Sequence, residues 1–130
     1  MSKAITTNYE GRYMSKTKSP LNEEPITVNA VRFTPVDLLT SAYGSCILGT
    51  IDFEARKKEF ETTEAGSEIT YEMSEDKNKI EAMSIKIFLG NEYTDQQKEV
   101  IENAAKYQCH VGNSLDPAIK REYEFIYNTK

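Results

Sequence analysis

Thr34-Pro35-Val36-Asp37-Leu38-Leu39-Thr40-Ser41-Ala42-Tyr43-Gly44-Ser45-Cys46 is the stretch on which the fold turns. Thr34 fits an N-cap, and Pro35 fills the first helical position, where its missing N–H costs nothing. Asp37 stands where a capping-box acid belongs. Nothing breaks the helix before about Glu59. Its first half, Leu38 to Phe53, is apolar on nearly every face, whereas Glu54 to Phe60 is highly charged. A helix apolar all round is buried, so the first half is expected to run through the core. Gly44 and Gly49 each cost about 1 kcal/mol relative to alanine there. Close approach of another backbone at both is the expected reason.

Outward from this helix the pattern alternates. Upstream, Ala4 to Lys16 reads as a strand leading into a loop, Lys18 to Glu24 as a loop or hairpin connection, and Ile26 to Val31 as a second strand. Downstream, Ser67 to Ser74 and Lys79 to Leu89 read as strands joined by the polar turn Glu75-Asp76-Lys77-Asn78. Ile69, Tyr71 and Met73 alternate with polar residues, as do Ile85, Ile87 and Leu89, so each strand has one buried and one wet face. Thr94-Asp95-Gln96-Gln97 repeats the capping-box pattern and starts a helix to about Tyr107. A last strand, Arg121 to Asn128, places Tyr123, Phe125 and Tyr127 on one face. The order predicts an α+β fold in which antiparallel sheets pack on a long buried central helix. At 130 residues, with no repeat or dividing linker, one domain over 1–130 is expected.

Composition narrows the function. A hydrophobic content of 38% is low for a self-sufficient globule of this length, which implies a very polar exterior or a core shared with another subunit. A net charge of -5 argues against nucleic acid, which needs clustered Lys and Arg. The one basic cluster, Arg56-Lys57-Lys58, falls at a helix end, where cations complement the dipole. No apolar run approaches the roughly 20 residues that span a bilayer, and Met1 to Tyr9 has no signal-peptide core. A cytoplasmic protein with no membrane partner is expected.

There are two cysteines, Cys46 on the apolar helix and Cys109 after the second helix. In a cytosolic protein such a pair is more often catalytic, redox-active or metal-binding than a permanent disulfide. Two cysteines and the single His110 are too few soft ligands for a closed zinc site, so no metal is expected. A redox pair is the remaining reading, provided the fold brings the sulfurs together.

The two cysteine segments resemble the OsmC/Ohr family, the osmotically inducible protein C and organic hydroperoxide resistance proteins. The first motif stands as Thr34-Pro35-Val36-Asp37-Leu38-Leu39 through Gly44-Ser45-Cys46, the second as Ala104-Ala105-Lys106-Tyr107-Gln108-Cys109-His110-Val111 with Ser114-Leu115. The resemblance covers about Phe33 to Asn128 and points to the OsmC-like branch. It implies intertwined homodimers with sites at the subunit interface, and a thiol-dependent peroxidase of the oxidative stress response that reduces small hydrophobic peroxides. Cys46 would attack the peroxide, Cys109 would resolve the sulfenic acid, and an external thiol reductant would reset the pair. No cofactor is implied.

The family activates its cysteine with an N-terminal arginine held by a Glu directly after the motif's proline. Val36 occupies that position here and Asp37 follows it; Arg12 is the arginine nearest to expectation and Arg32 a second candidate. His110 replaces the family's proline after the second cysteine. The alternative function is a non-catalytic OsmC-like protein that binds a small apolar ligand. A hotdog-type thioesterase shares the architecture alone.

Overall fold

A computed structural model describes residues 4–20, 22–29, 33–62 and 64–129. The chain falls into two compact units, residues 1–41 and 42–130. The first carries three antiparallel strands in the order β1-β2-β3: β1 is Thr6–Gly11, β2 is Met14–Ser19 and β3 is Asn22–Val28. Asn8 opposes Lys16 across the first pair, and Thr17 opposes Ile26 across the second. The stretch from Ala4 to Lys16 is thus a hairpin and not a strand leading into a loop, and β2 and β3 take up much of the expected Lys18 to Glu24 connection. The turn puts Gly11, Arg12 and Tyr13 at φ 88°, 54° and 63°. Such a turn usually announces itself as Asn-Gly, and Arg-Tyr does not. The expected end of β3 at Val31 lies outside the described residues.

Helix α1, Pro35–Lys57, begins at the end of the first unit. Its capping box is complete: the Asp37 N–H donates to Thr34 Oγ1 and the Thr34 N–H to Asp37 Oδ2, each at 3.1 Å. The helix closes at Lys57, and Glu59 at φ 63° turns the chain away.

In the second unit α1 buries Tyr43, Ile47, Ile51 and Ala55, a stripe at four-residue spacing. That stripe joins a sheet ordered β4-β5-β6, with β4 at Gly66–Met73, β5 at Ile80–Leu89 and β6 at Lys120–Tyr127. Met83, Ile85, Ile87 and Leu89 are buried at period two, and each large aliphatic chain contributes about 1.5–3 kcal/mol on burial. Helix α2, Asp95–Asn103, carries the expected Thr94–Gln97 capping box and buries Ile101. A π-helical turn, Ala104–Gln108, then buries Ala104 and Ala105, and a five-residue helix α3 spans His110–Ser114.

Three features depart from the sequence reading. β6 runs parallel to β5, with Arg121 beside Met83 and Tyr123 beside Ile85. The α2–α3 segment is a crossover connection that returns the chain to the same end of the sheet, and only a crossover can join parallel neighbours. The second is the opposite face of α1, which is not buried within the chain: Phe53 is 62% exposed. The third concerns the glycines. A Cβ on Gly44 would lie 2.7 Å from Ser67 Oγ, so side chains of β4, and not another backbone, crowd it there. Gly49 has open space around it and answers to no approaching backbone.

Candidate active site

The second unit brings the two thiols together. Cys46 sits on α1, one turn after the buried Tyr43, and is itself half-buried. Cys109 is buried and takes an extended backbone, φ -76° and ψ 120°, between the π turn and α3. That position makes it the N-cap of α3: its sulfur accepts the Gly112 N–H at 3.4 Å, a place usually held by an oxygen. Both cysteines are free thiols.

The pair is electrostatically asymmetric. Burial pushes the Cys46 thiol up, yet the balance lowers it below its ordinary value, through the Val111 N–H, the Cys109 thiol, the Thr50 hydroxyl and the His110 N–H. Burial likewise raises Cys109; the Gly112 N–H offsets part of this, but the Cys46 sulfur raises it again, to about 11. The Cys109 S–H donates to Cys46, so of the two sulfurs sharing that proton, Cys46, with more donors and better access to water, is the one on which negative charge is better stabilised.

The anion-stabilising groups are therefore neutral donors. Cys46 lies in mid-helix, far from its own helix's donors, and the start of a different element supplies them. Thr50 assists from one turn further along α1, its hydroxyl donating to the Cys46 carbonyl at 2.7 Å and lying 3.9 Å from the sulfur. Nothing in sequence flags a backbone amide as functional, since nearly every residue carries one. A Cys followed three residues on by glycine, the sulfur-capped turn, is the only available trace.

A surface cavity of about 380 Å³ opens on Cys46, lined by Gly49, Thr50, Phe53, Gln108 and His110 among others. The bare Gly49 leaves the approach to the sulfur open, and Phe53 supplies its apolar wall. His110 is exposed and faces this space rather than the buried Cys109.

The remaining expected site residues belong to the first unit. Asp37 is engaged in the α1 capping box with Thr34. Arg12 is exposed at the β1–β2 hairpin tip, in the left-handed region. Arg32 lies outside the described residues. Among the described residues no group of three or more His, Cys, Asp or Glu is gathered as a metal site would require. Nor, among the described residues, is any helix long and apolar enough to cross a membrane.

Behind Cys109 lies a polar network that the sequence reading did not single out. Tyr43 and Tyr123 share a hydrogen bond of 2.7 Å, and Arg121 Nη1 donates to the Gly112 carbonyl at 2.9 Å and to Tyr43 Oη at 3.4 Å. Its trace in the sequence was period two: Arg121 falls on the same face of β6 as Tyr123, Phe125 and Tyr127, a charge on the inward side.

A family model described as OsmC-like protein matches residues 28–124. No curated protein matches the chain. Among solved structures, one from Psychrobacter arcticus 273-4, described as an osmotic stress induced and detoxification response protein, is 24% identical over 93% of each chain with a TM-score of 0.85. An OsmC like protein from Mycoplasma pneumoniae is 18% identical over 98% of this chain and 97% of that one, with a TM-score of 0.83. The organic hydroperoxide resistance protein OhrB of Bacillus subtilis is 14% identical over 96% and 98%, with a TM-score of 0.71. These likenesses establish the fold.

Proposed function

The chain belongs to the OsmC-like protein family, and we propose that it reduces organic hydroperoxides through Cys46 and Cys109. The observation that carries this reading is the asymmetric thiol pair, with Cys46 lowered beside an open cavity and Cys109 raised and buried. A peroxidatic sulfur must be an accessible thiolate, and a resolving sulfur must stay protonated until it is needed.

The chemistry follows from that division. The Cys46 thiolate attacks the distal oxygen of the hydroperoxide, the O–O bond breaks, and the alkoxide leaves to take a proton from water. Cys46 is now a sulfenic acid and no longer an anion, so the negative charge that held the Cys109 proton is gone. Cys109 attacks the Cys46 sulfur, its proton leaves with the hydroxide as water, and an intrachain disulfide forms. An external thiol reductant returns both sulfurs to thiols by exchange. Phe53 and the open wall at Gly49 favour a small hydrophobic peroxide.

In this reading residues 1–130 act as one OsmC-like domain, since the family match spans both units. The working form is a cytoplasmic homodimer. The unburied apolar face of α1, with Phe53 exposed at the cavity rim, is the surface a second copy covers. Arg12 and Asp37 are retained as the proposed cation and acid that supplement the neutral donors.

Reduced protein treated with cumene hydroperoxide tests the proposal. Loss of both free thiols, with a mass decrease of two hydrogens and no change in Cys46→Ser, is the expected result. Persistence of both thiols rejects it.

A further inference from the structure

We infer that Arg121 is a positioning residue of this site: its guanidinium holds the short 109–114 turn against α1, keeping the backbone N–H groups of His110 and Val111 aimed at the Cys46 sulfur. A five-residue helix is too short to be stable alone. Arg121 braces its end, bonding the Gly112 carbonyl, which also accepts the Leu115 N–H, and the carbonyls of the two residues that follow the helix. Nη1 donates to the Gly112 carbonyl at 2.9 Å, while Nη2 reaches the carbonyls of Leu115 at 3.5 Å and Asp116 at 3.4 Å. The planar fork reaches carbonyls from two separate nitrogens in a fixed geometry, which the single nitrogen of an ammonium cannot reproduce.

The same guanidinium ties the turn to the cysteine's helix. It lies 5.5 Å from the centre of the Tyr43 ring and donates to Tyr43 Oη at 3.4 Å. Tyr43 is fully buried and stands one turn before Cys46 on α1. Gly112 completes the contact, since a Cβ there would lie 2.7 Å from Tyr43 Cε1. Arg121 is itself fixed in the β5–β6 ladder opposite the buried Met83. Among the described residues its polar partners are three carbonyls and a phenol, with no carboxylate to draw the fork away. Strand, turn and helix meet at one side chain.

Arg121 matters for turnover only if the thiol-pair reading holds, but the thiolate is measurable without peroxide. Two variants separate charge from fork: Arg121→Lys keeps the charge, and Arg121→Gln keeps a neutral donor. Bromobimane labelling of Cys46, mapped by mass spectrometry across pH, reads the thiolate midpoint of each folded protein. Loss of the two amide donors should raise the midpoint by about one unit in both variants. If one variant fails to fold, the other carries the test. A folded variant with a lower melting temperature and a wild-type Cys46 midpoint overturns the inference, leaving Arg121 merely structural. Wild-type protein that ignores hydroperoxide, beside variants that do shift the midpoint, would instead remove the peroxidase reading and leave Arg121's role standing.

Discussion

Replacing Cys109 with alanine perturbs the candidate site at the point where structure and chemistry are most tightly joined. Two things go at once. The Cys46 thiolate loses the S–H donor, one of the four groups that lower it. The α3 turn loses its cap, the sulfur that accepts the Gly112 N–H at 3.4 Å. Two backbone amides and the Thr50 hydroxyl remain, so the charge is not abandoned. A single charge-assisted hydrogen bond to a sulfur is weaker than one to oxygen, and its loss corresponds to about one pKa unit, or about 1.4 kcal/mol between protonation states. Below the midpoint this leaves roughly tenfold less thiolate. The cap costs a further 0.5–2 kcal/mol or so of stability. Cys109→Ser restores a cap and a donor on a shorter arm, so it should recover most of the stability and part of the shift.

The assay is the pH dependence of Cys46 alkylation in wild type, Cys109→Ala and Cys109→Ser, paired with urea unfolding. After peroxide, the two variants should stop at a sulfenic acid that dimedone traps, whereas wild type proceeds to the disulfide. An alkylation profile of Cys109→Ala that superimposes on wild type refutes the shared-proton account. A dimedone adduct of equal yield in all three proteins refutes resolution by Cys109.

Other consequences are testable on the same material. Gly112→Ala forces a methyl to 2.7 Å from the Tyr43 ring, so it should destabilise the protein by about 1–3 kcal/mol in urea unfolding and raise the Cys46 midpoint. Because Cys109 is raised to about 11, the folded state binds more protons than the unfolded state between about pH 8.5 and pH 11. Stability from this group is therefore present below the unfolded value and lost as pH rises towards the folded one. The urea midpoint should fall over that window, less steeply in Cys109→Ala, with the raised Tyr43 and Tyr127 leaving a residual slope. Thr94→Ala removes the side-chain acceptor of the Gln97 N–H in the α2 capping box and should cost about 1 kcal/mol without moving the Cys46 midpoint.

What could be read from sequence was whatever physics writes locally. Both capping boxes were legible, because a Thr followed three residues on by Asp or Gln satisfies two amides by side chains alone. The inward face of β5 was legible because burial there has period two. The β1–β2 hairpin was hidden because Arg12 and Tyr13 adopt positive φ without the residues that favour it. β6 was found, but its direction depends on how α2 and α3 carry the chain across, a property of the connection and not of the strand. The π turn at Ala104–Gln108 continues an ordinary helical pattern and left no mark. At the site, both thiols were visible from their motifs, whereas the donors around them were not.

The donors explain why a mid-helix cysteine suits this chemistry. Within a helix every amide N–H past the first turn is already bonded to a carbonyl, so α1 has none to offer Cys46. A helix start has unbonded amides, and the chain places one beside Cys46 by ending α2 in a π turn and beginning α3 immediately after it. The residue at that junction must be extended, must cap α3 and must face α1. Cys109 meets all three demands, so under the proposed function the resolving sulfur would also be the device that orients the activating amides. Disulfide formation would draw that sulfur onto Cys46 and away from Gly112 as it consumes the thiolate, so one movement would end the activation and record the oxidation. A separate cation can tune such a site, but the basic asymmetry between the two sulfurs is set by the burial of Cys109 and by the neutral donors gathered around Cys46.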